Sequence, residues 1–199
     1  MKMLSWPRYE KKEYKLSEDG YQLRFSCKTD GNAVFVRTPQ SISPELDTFQ
    51  FETKILDGGE NFSIGIGFTT SLPLCGNGIP EEMDSSTVGL DLNEGVMYFG
   101  QNYTSVFDEK SSNGDVIGCY LERFSIKNVG YLAYEFFRNG ECIGKQFAEE
   151  TNVYPFIRVT SGDVILDTNL GEREFIYKKG NIDLSFTSIC VSFDRFIHL

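Results

Sequence analysis

The sequence has a single histidine, His198, which stands next to the C-terminus. Catalytic Ser–His–Asp and Cys–His arrangements need an imidazole beside the nucleophile, and Cys/His zinc sites need several such ligands. The five cysteines are widely spaced without a CxxC pair, at Cys27, Cys75, Cys119, Cys142 and Cys190. A phosphate-binding glycine loop and an HExxH helix are also missing. We therefore expect no catalytic residues, no metal and no cofactor, so that the protein is not an enzyme.

Basic residues and long apolar runs are scarce. The 199 residues include 19 Lys and Arg against 29 Asp and Glu, a formal net charge of -10. Because an acidic surface repels phosphates, nucleic acid and membranes are not expected partners. No apolar run reaches the length of a membrane span, and residues 1–14 lack the apolar segment of a signal peptide. An odd cysteine count without a secretion signal fits reduced thiols, so the expected location is intracellular, cytoplasmic or nuclear.

What is present is a β pattern. Residues 49–55 alternate apolar and polar side chains, as a half-buried strand does. Residues 63–69 place Gly65 and Gly67 on one face, where another backbone or side chain can approach closely. Asn139-Gly140 is typical of a two-residue type I′ hairpin. Further strands are predicted at about 33–37, 87–92, 95–99, 115–121, 131–138, 142–147, 154–160, 163–169 and 174–178. Many short strands without a clear helix before residue 180 predict an all-β sandwich or barrel.

One domain is expected at this length, with two flanking segments. Residues 1–20 form a charged N-terminal arm in which Trp6 is expected to pack on the domain, and residues 21–180 form the sandwich. Residues 181–199 form an apolar tail. Its apolar side chains follow helical spacing at Phe186, Ile189, Cys190, Phe193, Phe196 and Ile197, although a strand over 186–191 competes. The tail either packs on the sandwich or docks on another protein.

Two long polar segments, 70–86 and 100–113, are predicted to be loops. Loops on a rigid β scaffold are where binding residues usually lie, although such loops are also tolerated insertions.

Three segments resemble the SPRY domain family. GDVIGC (114–119) and FFRNGECIG (136–144) are similar to two family motifs, and residues 152–177 resemble the family's closing segment, with Asn169, Gly171 and Phe175 in its motif places. The most similar type is that of Ran-binding protein M, through residues 16–25, 33–56 and 63–70.

The resemblance implies a fold of two antiparallel sheets in a bent, concanavalin-like jelly-roll β-sandwich. It also implies a non-enzymatic protein–protein interaction module that binds a peptide or protein surface through loops at one end of the sandwich. Because many members of the family serve in these roles, the resemblance also implies a substrate-recognition or adaptor subunit of a ubiquitin ligase, or a signalling scaffold. The alternatives are a carbohydrate-binding, lectin-like sandwich and, less favoured, a glycosidase-like enzyme with paired carboxylates.

The chain departs from the family's aromatic run over residues 82–95. Met83 takes the place of a Trp, Val88 and Leu90 take the places of Tyr, and Asp91 takes that of a His. Because aromatic anchors often dominate binding energy, this chain is not expected to bind the same partner as the Ran-binding type does. The predicted partner-binding residues are Arg37, Thr38, Pro39, Leu72, Leu74, Met83, Tyr98, Tyr103 and Phe107. The sequence leaves the oligomeric state open.

Overall fold

The computed structural model describes residues 4–8, 13–27, 33–58, 62–70, 75–77 and 87–178. Within these residues the chain forms strands and turns, without a helix. The thirteen strands are β1 (Tyr14–Leu16), β2 (Gln22–Cys27), β3 (Val34–Arg37), β4 (Thr48–Asp57), β5 (Ser63–Thr69), β6 (Cys75–Asn77), β7 (Val88–Asp91), β8 (Val96–Phe99), β9 (Asn102–Ser105), β10 (Val116–Ile126), β11 (Val129–Arg138), β12 (Glu141–Glu149) and β13 (Tyr154–Asn169). Accordingly, the described part of the chain has no helix that is long and apolar enough to cross a membrane.

The long strand β13 joins two antiparallel sheets. Its first half, up to Ser161, pairs with β3 and β5, and its second half, from Gly162, pairs with β2 and β4. The first sheet has the order β1-β2-β13-β4-β10-β11-β12, and the second has the order β6-β3-β13-β5-β7-β8-β9. The chain bends between the two halves, where Gly162 has a φ of 86°. The predicted all-β, jelly-roll-like sandwich is confirmed.

Aromatic side chains from both sheets meet in the core. The ring of Phe68 on β5 lies 5.4 Å from that of Phe51 on β4 and 5.3 Å from that of Tyr134 on β11. All three side chains are at most 1% exposed. Because successive side chains of a strand point to opposite faces, each of these strands turns its other face outward. The two sheets thus have outer faces that are available for other roles.

The hairpin predicted at Asn139-Gly140 is confirmed. Both residues have positive φ, 50° and 87°, and Arg138 pairs with Glu141 across the turn. A second hairpin of this kind, at Lys127-Asn128 between β10 and β11, was not predicted, because neither residue is a glycine. Its φ angles are 50° and 66°.

The carboxylate of Asp115 explains why the GD and RNG motifs meet. It accepts hydrogen bonds from Arg138 Nη2 at 2.9 Å, from Asn139 Nδ2 at 2.7 Å and from the backbone N–H of Ser112 at 2.9 Å. Burial raises the pKa of Asp115, but the bonds from Asn139 and Ser112 and the charge of Arg138 outweigh it, so the pKa lies below its ordinary value. The motif pair is therefore a structural clamp that holds β10 against the β11–β12 hairpin.

Three strand predictions need correction. The strands predicted at 154–160 and 163–169 are one strand, β13, because neighbours pair with it on both sides of the bend. No strand forms at 174–178; there the backbone N–H of Ile176 donates to the carboxylate of Glu52 at 2.9 Å instead of to a neighbouring strand. The segment 100–113, predicted as a loop, contains β9, and the segment 70–86 contains β6.

The N-terminal segment contacts the sandwich at two places. Trp6 is 3% exposed, and its Nε1 donates to Thr168 Oγ1 at 2.8 Å. Strand β1, which lies within the predicted arm, pairs with β2. Trp6 is thus buried against the second half of β13.

Candidate interaction surface

The outer face of the second sheet carries a row of residues that runs across six strands. The register pairs each member with the next, in the order Arg37, Phe156, Gly67, Gly89, Tyr98 and Tyr103. We call this set the cross-strand row. With neighbouring strands about 4.8 Å apart, it extends about 24 Å. Three of the nine predicted binding residues, Arg37, Tyr98 and Tyr103, therefore share one face of one sheet.

An ion pair lies in the neighbouring row. Arg158 on β13 pairs with Gly65 on β5, which pairs with Asp91 on β7. Without a side chain at Gly65 between them, Arg158 Nη2 reaches Asp91 Oδ2 at 3.3 Å, with both side chains less than 15% exposed. Asp91 takes the place of the family's histidine, and its pairing with Arg158 gives it a structural role on this face.

The glycines of the two rows make room for the ring of Tyr98. A Cβ added at Gly89 would overlap the Tyr98 ring, and one at Gly65 would lie 3.3 Å from the Tyr98 hydroxyl. The close approach expected at the glycines of β5 is thus made by the protein itself, by the side chains of Tyr98 and Arg158 at Gly65 and by the backbone of β7 at Gly67. Tyr98 is 1% exposed, and burial raises the pKa of its hydroxyl, which stays neutral. Its hydroxyl has no hydrogen-bond partner among the described residues.

Arg37, Thr38 and Pro39 lie where β3 ends, and they differ in accessibility. The guanidinium of Arg37 stacks 4.0 Å above the ring of Tyr154, and its Nη1 donates to the Thr38 carbonyl at 2.8 Å. Thr38 is fully buried and donates its backbone N–H to the Pro155 carbonyl at 3.1 Å. Pro39 is exposed. Arg37 is therefore partly accessible and Pro39 exposed to solvent, whereas Thr38 holds the backbone of this loop in place.

Tyr103 and Phe107 lie at different places. Tyr103 on β9 is 64% exposed, the largest exposed fraction among the large apolar side chains that the structure describes, and its ring is 6.3 Å from that of Tyr98. Phe107 is half-buried beside the β7–β8 turn at Gly95. Its ring lies 5.1 Å from the guanidinium of Arg138. The structure thus separates Phe107 from the cross-strand row, and this residue stays a prediction of the sequence alone.

The remaining predicted residues, Leu72, Leu74 and Met83, lie outside the described residues. Of the positions where the chain departs from the family's aromatic run, Val88 and Leu90 are fully buried in the main core. The loss of these two aromatic residues therefore changes the core rather than the outer face.

Sequence reasoning missed the contribution of β13. Tyr154, Phe156 and Arg158 alternate with Ile157 and Val159, so they point to the outer face while the other two point to the core. Phe156 forms a small buried cluster with Phe35 and Tyr98, separate from the main core. The sequence does show the period-two alternation over residues 154–159. This alternation indicates that the strand has two different faces, but it does not indicate which of them is the outer face of the sandwich.

The residues that the structure describes contain no group of three His, Cys, Asp or Glu side chains placed to hold a metal ion. They do contain arginine side chains that lie over aromatic rings on the outer face of the second sheet, Arg37 over Tyr154 and Arg158 over Tyr98.

Comparisons with known proteins agree with this architecture. The family model of the SPRY domain matches residues 48–173, well over half of the chain. Ran-binding protein 9 of Xenopus laevis is 26% identical over 151 residues, which cover 75% of this chain and 26% of that protein. Ran-binding protein 9 of Homo sapiens is 25% identical over 177 residues, or 87% of this chain and 23% of that protein. The chain thus spans about a quarter of the length of these relatives.

A crystal structure of a human SPRY domain superimposes with a TM-score of 0.59 at 19% identity, covering 82% of this chain and 98% of that one.

Proposed function

This chain belongs to the SPRY domain family, a family of protein-interaction modules, and we propose that it is a non-enzymatic module that binds a peptide or protein surface. The proposed binding surface consists of Arg37 and Tyr103, which lie at the two ends of the cross-strand row, and of Pro39, which follows the end of β3. The observation that supports it best is that this row aligns an exposed Tyr and a stacked Arg on one rigid face.

The types of residue on this surface suit protein recognition. Tyr and Arg are enriched among the residues that contribute most to binding at protein interfaces. Arg37 is held in place by the ring of Tyr154, and Tyr103 stands on a strand beside the buried Tyr98. Because both anchors are already positioned, binding loses little conformational entropy. A surface of this kind recognises a preformed partner or a short peptide.

The edges of the proposed surface follow from the strand ends. In the second sheet, the strands β3, β5 and β8 end at the same edge at which β13 and β7 begin. The segments that connect these strands therefore lie together at that end of the sheet. Arg37 and Pro39 belong to these connections, and Tyr103 is two residues beyond the β8–β9 turn at Gly100-Gln101. This arrangement supports the proposal that loops at one end of the sandwich bind the partner.

We extend the proposal to a role as the substrate-recognition or adaptor subunit of a ubiquitin ligase, or as a signalling scaffold. Its support is the likeness to Ran-binding proteins over most of this chain. An intracellular location, cytoplasmic or nuclear, is part of the same proposal. The buried, unpaired thiol of Cys119 is compatible with it.

Replacing both Arg37 and Tyr103 by alanine is expected to weaken partner binding at least about tenfold, because each residue of this type contributes about 2 kcal/mol where it is an anchor. The measurement is affinity capture from a lysate, read by mass spectrometry, followed by titration of the main captured protein in purified form. The matched control is Leu56→Ala, which removes a 39% exposed side chain from β4 in the first sheet and is expected to bind as the wild type does. Equal affinity of the folded double variant and the wild type would rule out this surface.

A further inference from the structure

The outer face of the first sheet carries an apolar patch of half-buried and exposed side chains beside the Lys127-Asn128 hairpin. Phe124 on β10 stacks on Tyr131 of β11 at 5.7 Å and meets Phe147 of β12 edge-on at 6.0 Å. One row further along, Ile126 and Val129 face each other across the hairpin and are 41% and 45% exposed. We call these five residues the hairpin patch. A contiguous apolar patch on an acidic protein marks a contact surface.

The described chain ends on the same outer face. Gln50 Nε2 donates to the Tyr177 carbonyl at 2.8 Å, and the ring of Tyr177 covers Gly140, where an added Cβ would lie 2.8 Å from it. Gln50 pairs with Tyr120 on β10. Residues 179–199, which follow directly, lie outside the described residues. The point from which they continue is therefore next to the row of Tyr120, on the face that carries the hairpin patch.

The separation between this point and the patch suits the length of the tail. Along β10, Phe124 lies four residues and Ile126 six residues beyond Tyr120, about 13 and 20 Å at the rise of a strand. A helix over residues 183–197 would be about 22 Å long. A tail of this length, starting near Tyr120, reaches the end of the patch at the hairpin.

The chemistry of the tail matches that of the patch. The spacing of Phe186, Ile189, Cys190, Phe193 and Ile197 gives one apolar stripe at helical periodicity. A helix of this length is only marginally stable by itself and needs an apolar surface to pack against. Because the tail is tethered beside the patch, its effective concentration there is far above that of a separate protein. We propose that the apolar stripe of residues 183–197 docks on the hairpin patch of the same chain.

Disulfide trapping with the natural Cys190 tests this arrangement. In the full chain carrying Cys142→Ser, which removes an exposed thiol, Val129→Cys places a thiol in the patch. Oxidation with glutathione disulfide is expected to join this thiol to Cys190 within one chain, at least about tenfold faster than the thiol of a Tyr103→Cys control. Tyr103 lies on the other sheet and is the more exposed of the two positions. Peptide mapping under non-reducing conditions identifies the pairs.

A variant in which the apolar stripe of the tail is made charged distinguishes docking on the patch from random collision; we call it the stripe variant. Adding Phe186→Glu and Phe193→Glu is expected to lower the trapping rate of Val129→Cys to that of the control. Equal rates for Val129→Cys and Tyr103→Cys, or a rate that the stripe variant leaves unchanged, would overturn the proposal. A disulfide that joins two chains would also overturn it, because the occupant would then be the tail of a second copy.

Thermal unfolding gives an independent readout. Val129→Glu and the pair Phe186→Glu/Phe193→Glu are each expected to lower the melting temperature of the full chain. Combining them is expected to lower it no further than the larger single effect, since both remove one contact. Fully additive shifts would contradict docking on the patch.

Discussion

Replacing Asp115 by alanine is expected to lower the free energy of unfolding by about 3 kcal/mol, because removing one partner of a largely buried ion pair leaves the other charge uncompensated. The side chains of Arg138 and Asp115 are 18% and 11% exposed and their charged atoms are 2.9 Å apart. The same carboxylate accepts the bonds of Asn139 and Ser112. Its loss therefore weakens the β11–β12 hairpin and the segment before β10 together. Urea unfolding followed by circular dichroism measures the change.

The ion pair between Lys178 and Glu174 provides the control. Its atoms are 2.7 Å apart, closer than those of Arg138 and Asp115, but its side chains are 64% and 80% exposed. Solvent screens such a pair, so Glu174→Ala is expected to leave the unfolding curve unchanged. If Asp115→Ala were as harmless as Glu174→Ala, the proposed clamp between the two motifs would be wrong.

The contribution of Asp115 is also expected to depend on pH. Its folded-state pKa is lowered from an ordinary value of 3.8, so its stabilisation is complete above that value and is lost as the pH falls through the lower, folded-state pKa. The difference in stability between the wild type and Asp115→Ala should therefore be constant near neutral pH and shrink below about pH 4. Unfolding curves measured from pH 7 to pH 3 test this. A gap that widens on acidification would contradict the sign of the shift.

Gly67→Ala is the second substitution expected to have a large effect, a loss of about 3 kcal/mol, at the upper end of the range for overpacking. An added Cβ would overlap the carbonyl oxygen of Val88 and lie 2.6 Å from the Cα of Gly89. Both are backbone atoms of the neighbouring strand, so β5 and β7 would have to separate. Because Gly67 belongs to the cross-strand row, partner binding is expected to weaken as well. Urea unfolding gives the stability change.

Two other strand glycines, Gly118 and Gly89, provide comparison variants for this prediction. At Gly118 an added Cβ would lie 3.5 Å from the Cβ of Phe137, an ordinary contact, so Gly118→Ala is expected to change stability by at most about 0.5 kcal/mol. At Gly89 the overlap is with the ring of Tyr98, a side chain that can move outward. Gly89→Ala is therefore expected to destabilise less than Gly67→Ala while exposing Tyr98 to solvent. If all three variants were equally stable, close packing of β5 against β7 would not be the reason for the glycine at 67.

Local patterns were enough to predict the class of fold and many of its strands. Alternation over residues 49–55 requires only that one face of a strand be buried, and β4 covers this segment. Asn139-Gly140 tolerates positive φ at both positions, so the turn follows from two residues. The SPRY motifs over 114–119 and 136–144 indicated the family because each is recognisable from its own short sequence, and the structure joins the two through Asp115, which binds Arg138 and Asn139.

Predictions that depended on distant partners were less accurate. Thr160-Ser161-Gly162-Asp163 resembles a turn, yet the strand continues through it because β3 and β5 pair before the bend and β2 and β4 pair after it. Residues 174–178 resemble a strand, yet the carboxylate of Glu52, more than 120 residues away in sequence, accepts the N–H of Ile176.

The sequence by itself determined the all-β class, the hairpin at Asn139-Gly140 and the membership of the family, because each depends on short-range alternation, turn geometry or a local motif. Only the tertiary structure decided that Arg37, Tyr98 and Tyr103 share one row while Phe107 lies elsewhere. The row exists because the registers of β3, β13, β5, β7, β8 and β9 coincide. A shift of one residue in any of these pairings would turn a strand's side chains to the other face, and register between strands distant in sequence is set by packing of the whole sandwich rather than by any local signal.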